Sequence, residues 1–105
     1  MNRKSFTLIT KELTVQNVAG FHVRDASLVC KTAMKFSSNV YLSNGGYSAD
    51  CKSCLDLLTL MAPQGTVLTI TAEGEDSKAA VDAIETLFNH KFYEDEFAAM
   101  EPADL

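Results

Sequence analysis

The sequence predicts an α+β domain in which a four-stranded antiparallel sheet carries three helices on one face. Three observations predict it: segments that alternate apolar and polar residues, segments with apolar residues at helical steps of three and four, and their order, βαββαβα. The chain has 105 residues, of which 47% are hydrophobic and 22% are charged, and these values are typical of one globular core. We therefore expect a single domain over residues 1–105.

The first half of the chain predicts one helix and three strands. Apolar and polar residues alternate up to Gln16 and predict a strand that starts near Leu8. A loop over residues 17–20 follows this strand. Apolar residues at helical spacing predict a helix within residues 23–36. Residues 40–42 and 47–49 flank Ser-Asn-Gly-Gly, a sequence that supplies the positive φ angles of a tight hairpin turn.

The second half predicts two helices around the clearest strand. Ser53 is a candidate first residue of a short helix over residues 53–60, and residues 66–72 alternate as a half-buried strand. Ser77 is a candidate N-cap for the third helix. We expect the core to span about residues 9–92, followed by an acidic C-terminal extension over residues 93–105.

Charge and apolar content exclude several classes of function. A net charge of −5 disfavours binding to nucleic acid or to an anionic membrane surface, because both depend on clustered Lys and Arg. The apolar runs are far shorter than the roughly 20 residues of a membrane span, so we expect no membrane insertion. The first nine residues lack the apolar core of an export signal, and we expect a cytoplasmic protein.

Three cysteines leave two interpretations open. Cys51 and Cys54 form one C-x-x-C, which by itself is a weak signal because a structural zinc site needs four ligands. With Cys30 and a histidine they could complete a metal or redox site. Small reduced thiols, packed as apolar side chains, are the simpler reading, and on it we expect no metal and no cofactor.

His22 lies directly before the first predicted helix, at a position suited to an anion. The free backbone N–H groups and the positive end of the helix dipole meet there. Arg24 adds a planar set of donors that matches phosphate oxygens, and Gly20 allows the preceding turn a close approach. A neutral imidazole is a nucleophile, so this arrangement can accept a phosphoryl group. A polar cap or a plain surface residue is the alternative.

Three ordered segments resemble the HPr family, the small histidine-containing phosphocarriers of the bacterial sugar phosphotransferase system. The segment GFHVRDAS resembles its G-[LI]-H-x-R-P-A signature, and KSCLDLL resembles the segment around its regulatory serine. The stretch QGTVLTITAEGEDSKAAVDAI is similar to a third family motif, and the spacings agree without a gap. The resemblance covers about residues 9 to 92 and implies the open-faced β-sandwich fold of that family.

The resemblance also implies a role for each matching residue. His22 would take phosphate on Nδ1 from the phosphohistidine of Enzyme I and pass it to a IIA component, while Arg24 would steady the phosphate. Ser53 would be the site of a regulatory serine kinase. The remaining implied residues would bind the partner proteins, and they are Val23, Lys31, Cys54, Leu55 and Leu58; for Leu58, a plain core position is an equal alternative. We expect a monomer.

Asp25 replaces the family's proline, and this is the main departure from the signature. An aspartate early in a helix is favoured by the dipole, so the fold should tolerate it. Its carboxylate, at about 7 Å, would oppose a phosphate by roughly 0.6–2.4 kcal/mol at effective dielectrics of 80 to 20. Met34 and Asp56 stand where family members often carry lysine, which predicts weaker attraction to Enzyme I. A second hypothesis is therefore a noncatalytic, HPr-like interaction module.

Overall fold

The computed structural model describes residues 7–93, and it confirms the predicted order of elements. The strands are β1 (Thr7–Thr14), β2 (Asn39–Asn44), β3 (Tyr47–Asp50) and β4 (Val67–Gly74); the helices are α1 (Val23–Ala33), α2 (Cys54–Leu58) and α3 (Ser77–Asn89), followed by a 3-10 turn, Lys91–Tyr93. Helix α1 ends before Phe36 because Lys35 and Phe36 bond three residues back, which tightens the chain into turns. Helix α2 likewise ends two residues earlier than predicted.

The four strands form one antiparallel sheet in the order β1-β4-β2-β3. The central strand β4 pairs along its whole length with β1, from Thr7 opposite Gly74 to Thr14 opposite Val67. Strands β2 and β3 are joined by the predicted tight turn, in which Gly45 has a φ of 64°. This order leaves β1 and β3 at the two edges of the sheet.

The core lies between one face of the sheet and the helices. Alternate strand residues are buried and their neighbours face solvent, as the period-two pattern predicts. The buried set includes Leu13, Val40, Leu42, Leu68, Ile70 and Ala72 from the sheet, with Ala26, Val29, Ala80, Val81 and Ile84 from α1 and α3. Among residues 7–93, no helix has the length and apolar character needed to cross a membrane.

The N-terminus of α3 differs from the prediction. Asp76, not Ser77, occupies the N-cap position, and Ser77 is the first helical residue. The Ser77 side chain is fully buried and its hydroxyl has no hydrogen-bond partner. The Asp76 carboxylate instead accepts hydrogen bonds from the backbone N–H groups of Ser37 and Ser38, each at 2.9 Å. The Asp76 side chain thus connects two loops and makes no capping hydrogen bond to the N-terminus of its own helix.

The chain after α3 folds back against the core. Phe92 is fully buried, and its ring packs edge-on against Phe88 and Phe21, with centroids 4.8 and 5.7 Å away. Lys91, Phe92 and Tyr93 all have positive φ angles, between 53° and 57°. The predicted acidic extension lies outside the described residues from position 94 onward.

Candidate functional site

His22 is placed by the packing of the residue before it. Phe21 is buried against the rings of Phe88 and Phe92. Its backbone N–H donates a hydrogen bond to the carbonyl oxygen of Ala62 at 2.8 Å. Gly20 has a φ of 83°, and a Cβ at this position would lie 2.9 Å from the same oxygen, so only glycine fits there. His22 follows in extended conformation as the N-cap residue of α1. Its imidazole is 45% exposed and therefore open to a partner protein.

Asp25 lies directly beneath His22 in the first turn of α1. Its side chain is fully buried, and Oδ2 accepts hydrogen bonds from the His22 backbone N–H at 3.2 Å and from Nδ2 of Asn17 at 3.1 Å. Asp25 thus supplies the carboxylate half of a capping box, while the imidazole makes no hydrogen bond to the helix N-terminus. Burial raises the pKa of Asp25, and these hydrogen bonds oppose the rise only in part. The dipole argument from the sequence took Asp25 as a first-turn residue, but it did not foresee that its carboxylate is buried.

One nitrogen of the imidazole faces this carboxylate. Nε2 of His22 lies 3.7 Å from Oδ2 of Asp25, which is longer than a hydrogen bond but within the range of an ion pair. Because Nε2 is the ring nitrogen nearest the carboxylate, Nδ1 is the nitrogen that does not face it. The two ring nitrogens therefore experience different electrostatic surroundings.

Arg24 ties the start of α1 to the chain after α3. Nη2 donates to the backbone carbonyl of Phe92 at 2.5 Å and to that of Tyr93 at 3.4 Å. Nη1 lies 3.4 Å from Oδ1 of Asp25. The guanidinium thus lies beside the buried carboxylate, and a quarter of the side chain remains exposed.

Ser53 is the N-cap residue of α2, one position before the helix that the sequence predicts to begin with it. Its Oγ accepts a hydrogen bond from the backbone N–H of Asp56 at 3.2 Å. The Asp56 carboxylate in turn accepts hydrogen bonds from the Asp50 backbone N–H at 2.8 Å and from the Tyr47 hydroxyl at 3.2 Å. Asp56, expected from the sequence only to weaken docking, therefore also anchors α2 to β3.

An apolar surface surrounds the start of α1 and α2. We name this surface the apolar patch; its residues are Val23, Cys54, Leu55, Leu58 and Met61. Leu55 and Met61 are each 78% exposed, and Leu58 is 38% exposed while its neighbour Leu57 is fully buried. Leu58 is thus a surface residue rather than a core residue. Helices α1 and α2 pack together, and the pairing of Phe21 with Ala62 brings Met61 toward His22. Lys31 is exposed in the last turn of α1.

Residues 9–90 match the protein-family model described as the phosphorylation site of the HPr component of the phosphotransferase system. The chain belongs to the HPr family. It is 39% identical over 88 residues to the phosphocarrier protein HPr of Xylella fastidiosa, a match that covers 84% of this chain and 99% of the relative. It is 40% identical over 80 residues to HPr of Haemophilus influenzae, covering 76% and 94%.

Solved structures of the HPr family share this fold. The crystal structure of HPr-C-His from Thermoanaerobacter tengcongensis superposes with a TM-score of 0.76 at 32% identity, covering 80% of this chain and 94% of the other. The open-faced α+β fold implied by the three sequence motifs is thereby confirmed.

The cysteines of this HPr-family chain occupy different environments. Cys51 is fully buried, and burial raises the pKa of its thiol, whereas Cys54 is exposed at the first residue of α2. The partly buried Cys30 interacts with Cys54 across the contact between α1 and α2. Within residues 7–93, no group of three or more His, Cys, Asp or Glu side chains is arranged to hold a metal ion. The C-x-x-C pair thus has one buried member and one exposed member.

Sequence reasoning missed three contributors to the site. Asn17 was assigned only to a loop, but its buried amide donates to Asp25 and to the Gly20 carbonyl at 2.6 Å. The carbonyl groups of Phe92 and Tyr93 hold Arg24 from 68 and 69 residues away, and no local pattern reports such a contact.

Proposed function

We propose that His22 accepts a phosphoryl group from the phosphohistidine of Enzyme I and passes it to a IIA component. The supporting observation is the exposed imidazole at the N-cap of α1. In the first step, the Nδ1 lone pair attacks phosphorus, a new N–P bond forms, and the N–P bond of the donor breaks. The donor imidazole keeps the electron pair. The second step repeats this exchange with His22 as the donor and a histidine of the IIA component as the acceptor.

The surroundings of His22 support a phosphate without a metal. The backbone N–H groups of Val23 and Arg24, in the first turn of α1, have no partner within the helix and lie at the positive end of its dipole. Arg24 reaches the phosphate by exchanging the carbonyl oxygens of Phe92 and Tyr93 for phosphate oxygens. The charge of Asp25 opposes the phosphate, but the adjacent guanidinium of Arg24 offsets it.

The purified protein, incubated with phosphoenolpyruvate and the Enzyme I of its own organism, tests the proposal. We expect one acid-labile, base-stable phosphate per chain, located on His22 by mass spectrometry after digestion. His22→Ala should abolish the label. His90→Ala, which removes the other histidine at the end of α3, should retain it. Absence of labelling in the unmodified protein, or equal labelling in His22→Ala, would refute the phosphocarrier function.

The apolar patch is proposed as the docking surface for both Enzyme I and the IIA component. Val23 directly follows His22, and Cys54, Leu55 and Leu58 belong to α2, which packs against α1; the exposed Lys31 adds a positive charge. Leu55→Ser should slow transfer from Enzyme I but leave phosphorylation by phosphoramidate, a donor that needs no docking, unchanged. Leu8→Ser is the matched control, because Leu8 is 64% exposed on the edge strand β1. Equal slowing in both variants would contradict docking at this patch.

Ser53 is proposed as a regulatory phosphorylation site for a serine kinase. A phosphate there would add nearly two negative charges at the first turn of α2, beside Leu55 and Asp56. It would repel an acidic partner without any change of fold. Ser53→Asp should therefore slow transfer from Enzyme I, whereas Ser53→Ala should not. Unchanged transfer in Ser53→Asp would argue against this regulation.

A noncatalytic interaction module is the second candidate, and the exposed side chains of the apolar patch favour it. In that case His22→Ala would keep full binding to the partner protein and full biological effect, whereas Leu55→Ser would lose both. The phosphocarrier function predicts that His22→Ala binds Enzyme I but transfers nothing.

For its setting, we propose a cytoplasmic monomer that needs no cofactor and binds neither nucleic acid nor membrane. The acidic charge and the partner proteins of the phosphotransferase system support this setting. Sedimentation of the purified protein at several concentrations tests the monomer, and a concentration-dependent rise in mass would contradict it.

A further inference from the structure

We infer that Asp25 is a positioning residue of the transfer reaction: its buried carboxylate keeps the proton of the neutral His22 ring on Nε2, so that Nδ1 is the nucleophile. The inference rests on the proposed function of His22. The HPr signature carries proline at this position, and a proline side chain has no charge with which to distinguish the two ring nitrogens.

The geometry singles out Nε2. A neutral imidazole carries its proton on one nitrogen and a lone pair on the other, and the neighbours of each nitrogen decide which form is populated. Oδ2 of Asp25 lies 3.7 Å from Nε2 and favours a proton there. The opposite form would place the Nε2 lone pair against the carboxylate, with mutual repulsion. The lone pair therefore lies on Nδ1, the nitrogen that does not face Asp25.

The carboxylate is held rigidly enough to act in this way. Oδ2 is fixed by the backbone N–H of His22 and by the Asn17 amide, and Oδ1 lies beside the Arg24 guanidinium. The Asp25 side chain is fully buried, so water screens its charge less than it would at the surface. Asn17 is itself buried and anchored through its second hydrogen bond to the Gly20 carbonyl. Asp25 thus acts on the ring through its charge, which its hydrogen bonds to other groups hold in place, without touching the phosphate.

The same contact acts throughout the transfer. When Nδ1 forms its bond to phosphorus, the proton stays on Nε2 and the ring acquires a positive charge. The Asp25 carboxylate faces that charge. When phosphate leaves for the next imidazole, the electron pair of the N–P bond returns to Nδ1 and the ring is again neutral with its proton on Nε2. No proton needs to be gained or lost in either step.

The proton position can be read directly by nitrogen NMR of the His22 ring. We would compare the 15N-labelled protein with Asp25→Asn, which keeps the shape and the hydrogen-bonding oxygen but removes the charge. Asp82→Asn, on the solvent side of α3, is the matched control for loss of one carboxylate. Each spectrum is recorded at a pH where the ring is neutral. A second measurement follows the rate at which phosphoramidate phosphorylates Nδ1, since this donor needs no partner protein.

We expect the unmodified protein and Asp82→Asn to carry the proton on Nε2. In Asp25→Asn the population should move toward the Nδ1-protonated form. Phosphorylation of Nδ1 should still slow, by at most roughly tenfold, because the loss of the nucleophilic form outweighs the relief of charge repulsion on the phosphate. An unchanged proton position in Asp25→Asn would overturn the inference, whatever the rate.

Failure of the proposed function would look different. If Enzyme I does not label His22 but the proton position still depends on Asp25, the phosphocarrier function fails and the orienting contact is supported. If Asp25→Asn does not fold, Asp25→Pro, which restores the residue of the family signature, replaces it with the same expected outcomes.

Discussion

Asp25 and Asp76 both lie at the start of a helix, and both accept hydrogen bonds from backbone N–H groups, yet their pKa values shift in opposite directions. Burial raises the pKa of Asp25. The Ser38 hydroxyl, together with the backbone N–H groups of Ser37 and Ser38, lowers the pKa of Asp76 to about 2. The contrast shows that desolvation outweighs the hydrogen bonds at the first site, whereas hydrogen bonds dominate at the second.

Aspartate therefore has a different role at each of the two sites. Asp76 joins the loop after α1 to the loop before α3 and stabilises the fold in its ionised form. Asp25 places a poorly solvated carboxylate under a reactive ring, an arrangement that costs stability when ionised and suits a functional site. Variants that change the backbone packing near Asp76, the hydrogen bond to Asp25 or the charge of either aspartate test this difference between the two sites.

The largest effect is expected at Gly74, which fixes the backbone before Asp76. Its φ is 149°, and a Cβ there would lie 2.4 Å from Oγ and 2.8 Å from Cα of Ser38. Gly74→Ala should lower the free energy of unfolding by at least about 2 kcal/mol, measured by urea denaturation, because strain and overlap add. Gly45→Ala is the control, since that glycine also has a positive φ but nothing within 4 Å. Equal losses in both variants would mean that the Asp76 loops are not tightly packed.

A smaller loss is expected when Asp25 loses its buried donor. Asn17→Ala removes the amide hydrogen bonds to Asp25 and to the Gly20 carbonyl, and should cost about 1–3 kcal/mol of unfolding free energy. It should also raise the pKa of Asp25 further, since the Asn17 hydrogen bond lowers it. Gln64→Ala removes an exposed amide that donates to the Gln16 carbonyl, and should cost no more than about 0.5 kcal/mol. Similar losses in the two variants would show that the polar contacts of Asp25 are not special.

The smallest effects concern the pH dependence of stability, and they have opposite signs at the two sites. Because the folded-state pKa of Asp76 is lowered, its contribution is present above the ordinary value near 4 and is lost as the pH falls toward 2. Because the pKa of Asp25 is raised, its contribution is present below the ordinary value and is lost as the pH rises through the raised pKa.

Urea midpoints of Asp76→Asn and Asp25→Asn, measured from pH 2 to pH 7 beside the unmodified protein, check both signs. Asp76→Asn should lack the acid loss between about pH 4 and pH 2. Asp25→Asn should lack the loss at higher pH. Identical pH profiles for the two variants would mean that burial and hydrogen bonding do not distinguish these carboxyl groups.

The sequence by itself determined the order of elements, the buried alternation of Leu68, Ile70 and Ala72, the start of a helix near Ser53 and the place of His22 before α1. These features depend on neighbours a few residues away, and such spacing is visible in a linear chain. It also identified the family, because three motifs keep their order and spacing.

Only the tertiary structure decided what surrounds those positions. Local pattern favoured Ser77 over Asp76 as the cap, because the donors that bind Asp76 come from Ser37 and Ser38, about 40 residues earlier. Likewise, Arg24 meets the carbonyl of Phe92 only after α3 has packed on the sheet. Burial raises the pKa of Asp25. It depends on all the elements that pack around the side chain, so no single segment of the sequence predicts it.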